Sequence, residues 1–189
     1  MYQKGNKELC IIGLYLTDYH ERFYLREISK LTKIPLKTIQ NKIKELEKKK
    51  ILISTMHGKN KYFMLNLNNI LTKFYLLQAE IQKTLLFIQK YPLFKTFIKE
   101  IKTDIALIVF GSFARFSANK ESDLDLLVIS KEKVKLPFYL LPYKPHTINL
   151  SEELFLKTKE TIIEEIKKNH IILNNHSLYI NKMWDYYAK

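Results

Sequence analysis

The spacing of apolar residues changes character along the chain, and each change marks an element. Leu9, Ile12 and Leu16 predict a first helix ending near Thr17-Asp18, followed by a short extended piece from Phe23 to Leu25. Leu25, Ile28, Leu31 and Ile34 predict a short second helix, which Pro35 stops. Leu36, Ile39, Ile43 and Leu46 predict a third, whose polar face carries Lys37, Gln40, Asn41, Lys44 and Lys48. Beyond Lys48-Lys49-Lys50 the helical period ends. Ile51 to Thr55 and Lys61 to Leu65 read as two strands joined at His57-Gly58-Lys59-Asn60, a hairpin pattern.

The longest stripe comes next. Ile70, Phe74, Leu77, Ile81, Leu85 and Ile88 lie three or four residues apart, which predicts a helix of about six turns from residue 68 or 69 to 89. Its apolar face needs a cover, either a second copy of the chain or the chain's own C-terminal helices. Tyr91-Pro92 ends it, and Leu93, Phe94, Phe97, Ile98 and Ile101 begin another helix. Ile105 to Phe110 is then uninterruptedly apolar, the mark of a buried strand, and it runs into Gly111-Ser112. A second strand follows from Ser122 to Ile129, and a third from His146 to Leu150, just before a helix opened by Ser151. Ser177 to Tyr187, with Trp184, predicts a last helix. The fold class expected is α+β, in three parts. Residues 1–66 form a mostly helical domain with a β wing, 67–91 a connecting helix, and 92–189 an α/β domain with a short mixed sheet flanked by helices.

Composition narrows the setting. With 189 residues, 47% of them hydrophobic and 13% aromatic, the chain suits two small packed domains rather than a disordered polypeptide. No apolar run approaches the roughly 20 residues that span a bilayer, so no membrane partner is expected. The single Cys10 can form no internal disulfide, which agrees with a cytoplasmic location. The net charge is +13, with 14 Lys/Arg against 6 Asp/Glu in residues 1–66. An anionic partner is therefore plausible, above all for the N-terminal third. Only four glycines occur, which makes Gly58 and Gly111 landmarks for backbone that needs glycine.

Helices two and three with the basic-tipped hairpin resemble a winged helix-turn-helix domain. The resemblance implies that the third helix enters the major groove of double-stranded DNA. Lys37, Thr38, Gln40, Asn41 and Lys44 are then candidates for base or phosphate contacts, with Lys59 and Lys61 on the wing. The turn before the third helix, Thr32-Lys33-Ile34-Pro35, lacks the glycine often found there.

The second half carries the chemistry. Strand period two puts Asp123 and Asp125 on one face, where two carboxylates repel unless a cation lies between them. Such oxygen ligands suit Mg2+, which takes substrate phosphates as further ligands. Gly111-Ser112 offers backbone N–H groups and a hydroxyl to a phosphate. Gly-Ser, ten intervening residues and Asp-x-Asp between two apolar strands resemble the DNA polymerase β-like nucleotidyltransferases. The Gly-Ser-x-Ala-Arg and Ser-Asp-x-Asp forms resemble the minimal members, with Arg115 at the motif arginine and Phe116 where glycine is common. That family implies Mg2+, in a one- or two-metal site, and a nucleoside triphosphate donor, here expected to be ATP. Asp123 and Asp125 would be the catalytic metal ligands, and Gly111, Ser112 and Arg115 would bind nucleotide.

Active members usually add a third acid from a neighbouring strand. With Ile148 and Leu150 assigned to the core, Thr147 and Asn149 would face the site, so Asn149 joins the nucleotide-binding candidates although it cannot act as a base. Glu152 and Glu153, on the first turn of the next helix, are the remaining acids. Two functions follow. One is a nucleotidyltransferase acting on a hydroxyl acceptor, with an antitoxin that modifies a partner protein and autoregulates through DNA as the family analogue. The other is a DNA-binding regulator whose transferase-like domain binds nucleotide without turnover.

Overall fold

A computed structural model describes residues 6–132, 134–157 and 161–188. The chain divides into two compact units, one of residues 1–82 with 187–189 and one of residues 83–186. The boundary at residue 82 falls inside a single long helix.

The first unit begins with helix α1, Lys7–Ile12, capped by the Asn6 side chain, which accepts from the Glu8 amide. The helix ends earlier than its apolar pattern suggested. It tightens into a 3-10 turn over Gly13–Tyr15, which keeps Tyr15 buried and lets its hydroxyl donate to the Phe63 carbonyl at 2.9 Å. Strand β1 (Phe23–Tyr24), helix α2 (Leu25–Thr32) and helix α3 (Leu36–Lys48) follow. Ile28, Ile39, Ile43 and Leu46 are fully buried, as the helical stripes required. The turn without glycine is made by Lys33, which takes φ 57° as the C-cap of α2. Strands β2 (Leu52–His57) and β3 (Asn60–Leu65) form the hairpin, with Gly58 at φ 60°, and β1 adds to β3 in the order β1-β3-β2.

Helix α4 (Ile70–Lys90) leaves most of its stripe exposed, while Leu77 is half-buried and Ile88 packs on the core of the second unit. Thr72, Leu76, Ala79, Glu80, Thr84 and Phe87 are the buried positions, whereas Ile70, Leu71, Phe74, Ile81 and Leu85 are exposed.

The second unit is a four-stranded mixed sheet, ordered β6-β5-β4-β7, made of β4 (Ala106–Val109), β5 (Leu124–Ile129), β6 (Pro145–Leu150) and β7 (Ile171–Asn174). β5 is antiparallel to β4 and parallel to β6, while β7 is antiparallel to β4. One face of the sheet, with Leu107, Val109, Leu124, Leu126 and Val128, packs on Phe94 and Phe97 of helix α5 (Phe94–Lys99) and on Phe113 of helix α6 (Gly111–Ala114). The proline-flanked segment 136–143 closes this core: Phe138 stacks on Phe97 and Tyr143 meets Phe113 edge-on at 4.8 Å, with Tyr139 turned outward. Ile108, Leu127, Ile129 and Ile172 are buried on the other face. Helices α7 (Glu152–Lys157), α8 (Thr161–Lys168) and α9 (His176–Tyr187) complete the unit. Strand β7 and helix α8 have no counterpart in the sequence reading.

Candidate active site

The site is built where β4 ends and β5 begins. Central β4 is buried at all four positions, and the β4–β5 pairing continues past it, with the Phe110 amide donating to the Asp125 carbonyl at 3.0 Å. The next residue, Gly111, turns the chain at φ 65° into α6. A Cβ built on Gly111 would lie 2.3 Å from Asp125 Oδ2. The Asp125 carboxylate thus occupies the space that a side chain at 111 would fill. Glycine is required there twice, for the left-handed backbone and for the close approach.

Segment 113–122 is fixed by local hydrogen bonds. The amide and hydroxyl of Ser117 both donate to the Ser112 carbonyl, at 3.0 and 3.2 Å. The Asn119 and Glu121 amides donate to Ser122 Oγ and Asn119 Oδ1, each at 2.9 Å. Phe116 adopts φ 59°, so the left-handed conformation is kept although the glycine is not. Its ring contacts Phe87 and Tyr91, and its carbonyl accepts from Lys90.

Asp123 and Asp125 share a face, as strand alternation demands, and Asp125 is the less exposed of the two. The β6 register decides what stands beside them. Asp125 pairs with His146, Leu127 with Ile148 and Val128 with Asn149. Lateral neighbours in a sheet project to the same side, so the aspartate face carries His146, Ile148 and Leu150. Asn149 and Thr147 lie on the opposite face, and the expectation that they face the site is corrected. His146 Nδ1 stands 3.6 Å from Asp125 Oδ1 and 4.0 Å from Asp123 Oδ2. Sequence reasoning missed this residue, although it opens the strand that was identified.

Glu152 and the arginine are engaged elsewhere. Glu152 pairs with Lys182 of α9 at 2.7 Å, and that hydrogen bond holds its carboxyl below the ordinary range against a smaller desolvation effect. Glu153 is exposed on α7. Arg115, the C-cap of α6, binds Glu165 of α8 at 3.1 Å with both side chains near solvent.

Residues 92–179 match the family model of the nucleotidyltransferase domain. The match spans α5, all four strands of the sheet and both Gly111-Ser112 and Asp123-x-Asp125. It supports nucleotidyl transfer as the general activity of this part of the chain. No curated protein and no solved structure matches the chain.

Nucleotidyltransferase domains generally use a nucleoside triphosphate and Mg2+. The donor set agrees with a divalent cation: two carboxylates on one edge, one of them seated over a glycine cradle that a Cβ would fill. Among the described residues, no group of three or more His, Cys, Asp or Glu side chains is placed so that it could hold a metal ion. Asp123, Asp125 and His146 stand instead at ion-pair spacing.

In the first unit, Lys37, Asn41 and Lys44 are exposed on α3, with Thr38 and Gln40 partly so. A groove of about 610 Å³ is lined by Arg26, Leu36, Gln40, Lys59, Asn60 and Lys61. Lys59 is exposed on the hairpin, whereas Lys61 is held by Glu47 at 3.0 Å, with Ser54 donating to the same carboxylate oxygen. No helix among the described residues is long and apolar enough to cross a membrane.

Proposed function

We propose that the chain transfers a nucleotide, AMP from ATP in the first instance, to a hydroxyl of an acceptor, and that its first unit is a winged helix-turn-helix that binds double-stranded DNA. The observation that carries the first part is the seat of Asp125 over Gly111, with Asp123 on the same strand face. In this reading Asp123 and Asp125 hold the cation, while the Gly111 and Ser112 amides and the Ser112 hydroxyl meet the donor's phosphates. A bound divalent cation would neutralise charge on the triphosphate. Arg115 reaches a phosphate only by leaving Glu165, an exposed pair whose loss costs little.

Transfer is tested by incubating the chain and any co-purified protein with ATP labelled in the α-phosphate. Label on an acceptor, lost with Asp123→Asn plus Asp125→Asn, supports the enzyme. Nucleotide binding without transfer supports the second reading, a regulator that senses nucleotide. One observation favours that alternative: the strand beside the aspartates presents a histidine where active members usually have an acid. Absence of any Mg-ATP binding overturns both.

The exposed basic residues of α3 and Lys59 support the DNA reading. A modifying antitoxin that represses its own operon would unite the two activities and would have a partner protein as its acceptor. Homodimerisation through the outer face of α4 would present two DNA-reading helices to a symmetric site.

A further inference from the structure

Building on the DNA reading above, we infer that Glu47 withholds Lys61 from the phosphate backbone and so limits how tightly, and with what salt dependence, the first unit binds a duplex.

Glu47 stands among the residues expected to meet DNA. Gln40, Lys44 and Glu47 follow one another at spacings of four and three, which aligns them along one side of α3. With Lys61 they line a groove of about 240 Å³, which shares Leu25, Gln40 and Lys61 with the larger groove of Arg26 and Lys59. Among the described residues that line these two grooves, Glu47 is the one acid. A carboxylate that faces a polyanion opposes binding unless a cation offsets it.

The hairpin supplies that cation. Strand alternation puts Lys61, Phe63 and Leu65 on one face of β3, with Phe63 and Leu65 buried and Lys61 at the open end of the same face. Ser54 of β2 pairs with Phe63 and projects to the same side. Both side chains reach Glu47 Oε1, Lys61 Nζ at 3.0 Å and Ser54 Oγ at 2.8 Å. The Lys61 ammonium also lies over the Phe63 ring, 5.2 Å from its centroid. A carboxylate and a ring thus hold the lysine, and a hydroxyl holds the carboxylate.

To meet a phosphate, Lys61 has to leave Glu47 and strand an unpaired carboxylate in the groove. Paired, the two charges cancel, and the binding surface has one cation fewer. Removing the carboxylate charge returns that cation, and each further phosphate neutralised steepens the fall of log affinity with log salt by about 0.9. A purely structural role has the opposite sign. Glu47 joins α3 to both hairpin strands, so if it only fixed the hairpin in place, its loss would weaken binding.

The test uses the full chain and a fluorescent duplex of mixed sequence, because the phosphate contribution does not depend on sequence; anisotropy is read from about 50 to 200 mM salt. Glu47→Gln keeps an oxygen for Ser54 at a partly exposed position and removes only the charge, so the variant should stay folded. It is expected to bind about three- to tenfold more tightly at about 0.1 M salt, with a salt slope steeper by about one. Adding Lys61→Ala should return both affinity and slope to the wild-type values. Weaker or unchanged binding by Glu47→Gln overturns the inference. A double variant as tight as Glu47→Gln does so too, because Glu47 then acts by its own charge; so does one weaker than wild type with a shallower slope, because Lys61 then already meets DNA. In each of these cases steeply salt-dependent binding by the wild type leaves the DNA reading standing. A wild type that does not bind the duplex overturns both.

Discussion

Two glycines in this chain have the same backbone conformation and opposite surroundings, which makes them a matched pair for experiment. Gly58 and Gly111 both lie near φ +60°, but a Cβ at Gly58 would meet nothing within 4 Å, whereas one at Gly111 would strike Asp125. Each alanine variant should cost about 1–2 kcal/mol for the left-handed backbone. Only Gly111→Ala should also displace the Asp125 carboxylate. Thermal unfolding is expected to show both variants destabilised, with Gly111→Ala the worse, and calorimetry with Mg-ATP should show binding lost in that variant alone. The scarcity of glycine made both positions conspicuous in the sequence, but not their different roles, because the neighbour of Gly111 is fourteen residues away along the chain.

Glu8 gives a pH prediction at the same scale. Burial opposes its ionisation, but hydrogen bonds from Lys49 and the charges of Lys49 and Lys42 outweigh that cost, so its carboxyl lies below the ordinary range. A depressed carboxyl stabilises the fold above its unfolded value of about 4.3, and this contribution is lost as pH falls through the lower folded value. Glu8→Gln should therefore be less stable than wild type at pH 7, by about 1 kcal/mol. The difference should shrink near pH 3. Urea unfolding at the two pH values checks it.

At the scale of elements, the end of α2 shows how a sequence departure is accommodated. The turn lacks glycine, yet the backbone still enters the left-handed region, at Lys33. Lys33 is exposed, so Lys33→Gly should relieve the backbone without loss of packing and raise stability by about 0.5–1 kcal/mol, visible in the thermal midpoint. The same conformation at Phe116 is a different case, because its ring packs on Phe87 and Tyr91. Strand β6 shows where period-two reasoning misleads. Strand alternation with Ile148 and Leu150 in the core predicts Asn149 in the site. In the structure the division runs along the strand as well as across it. One face of β5, with Asp123 just before it, passes from Asp125 to buried Leu127 and Ile129, and the matching face of β6 passes from His146 to Ile148 and Leu150. A face can be core at one end and site at the other, and only the register reveals where the change falls.

At the scale of the molecule, the two proposed partners make separable predictions. DNA affinity should fall steeply with salt and be lost with Lys37→Glu plus Lys44→Glu, both exposed on α3; fluorescence anisotropy across a salt series measures this. Lys61→Ala should matter less than Lys59→Ala, because Glu47 already holds Lys61. The apolar exterior of α4 is the second case. Phe74→Lys plus Ile81→Lys alters exposed positions, so the variant should stay folded yet sediment as a monomer if the wild type is a dimer. A wild-type monomer at all concentrations would remove self-association from the proposal.

The sequence alone determined most elements, because periods of 3.6 and 2 in the apolar positions are local properties. It also marked Gly111-Ser112 and Asp123-x-Asp125 as the candidate site, and both lie within the part that matches a nucleotidyltransferase domain. Three matters were left to the tertiary structure: which side chain joins the aspartates, which acids are already paired, and which face of α4 is left open. Each depends on strand register or on a partner distant in the chain. His146 lies next to Asp125 because β5 and β6 pair in parallel, and Glu152 is withdrawn from the site because Lys182 is brought within 2.7 Å of it. Spacing along a chain cannot encode such proximity, which arises only when separate segments pack together.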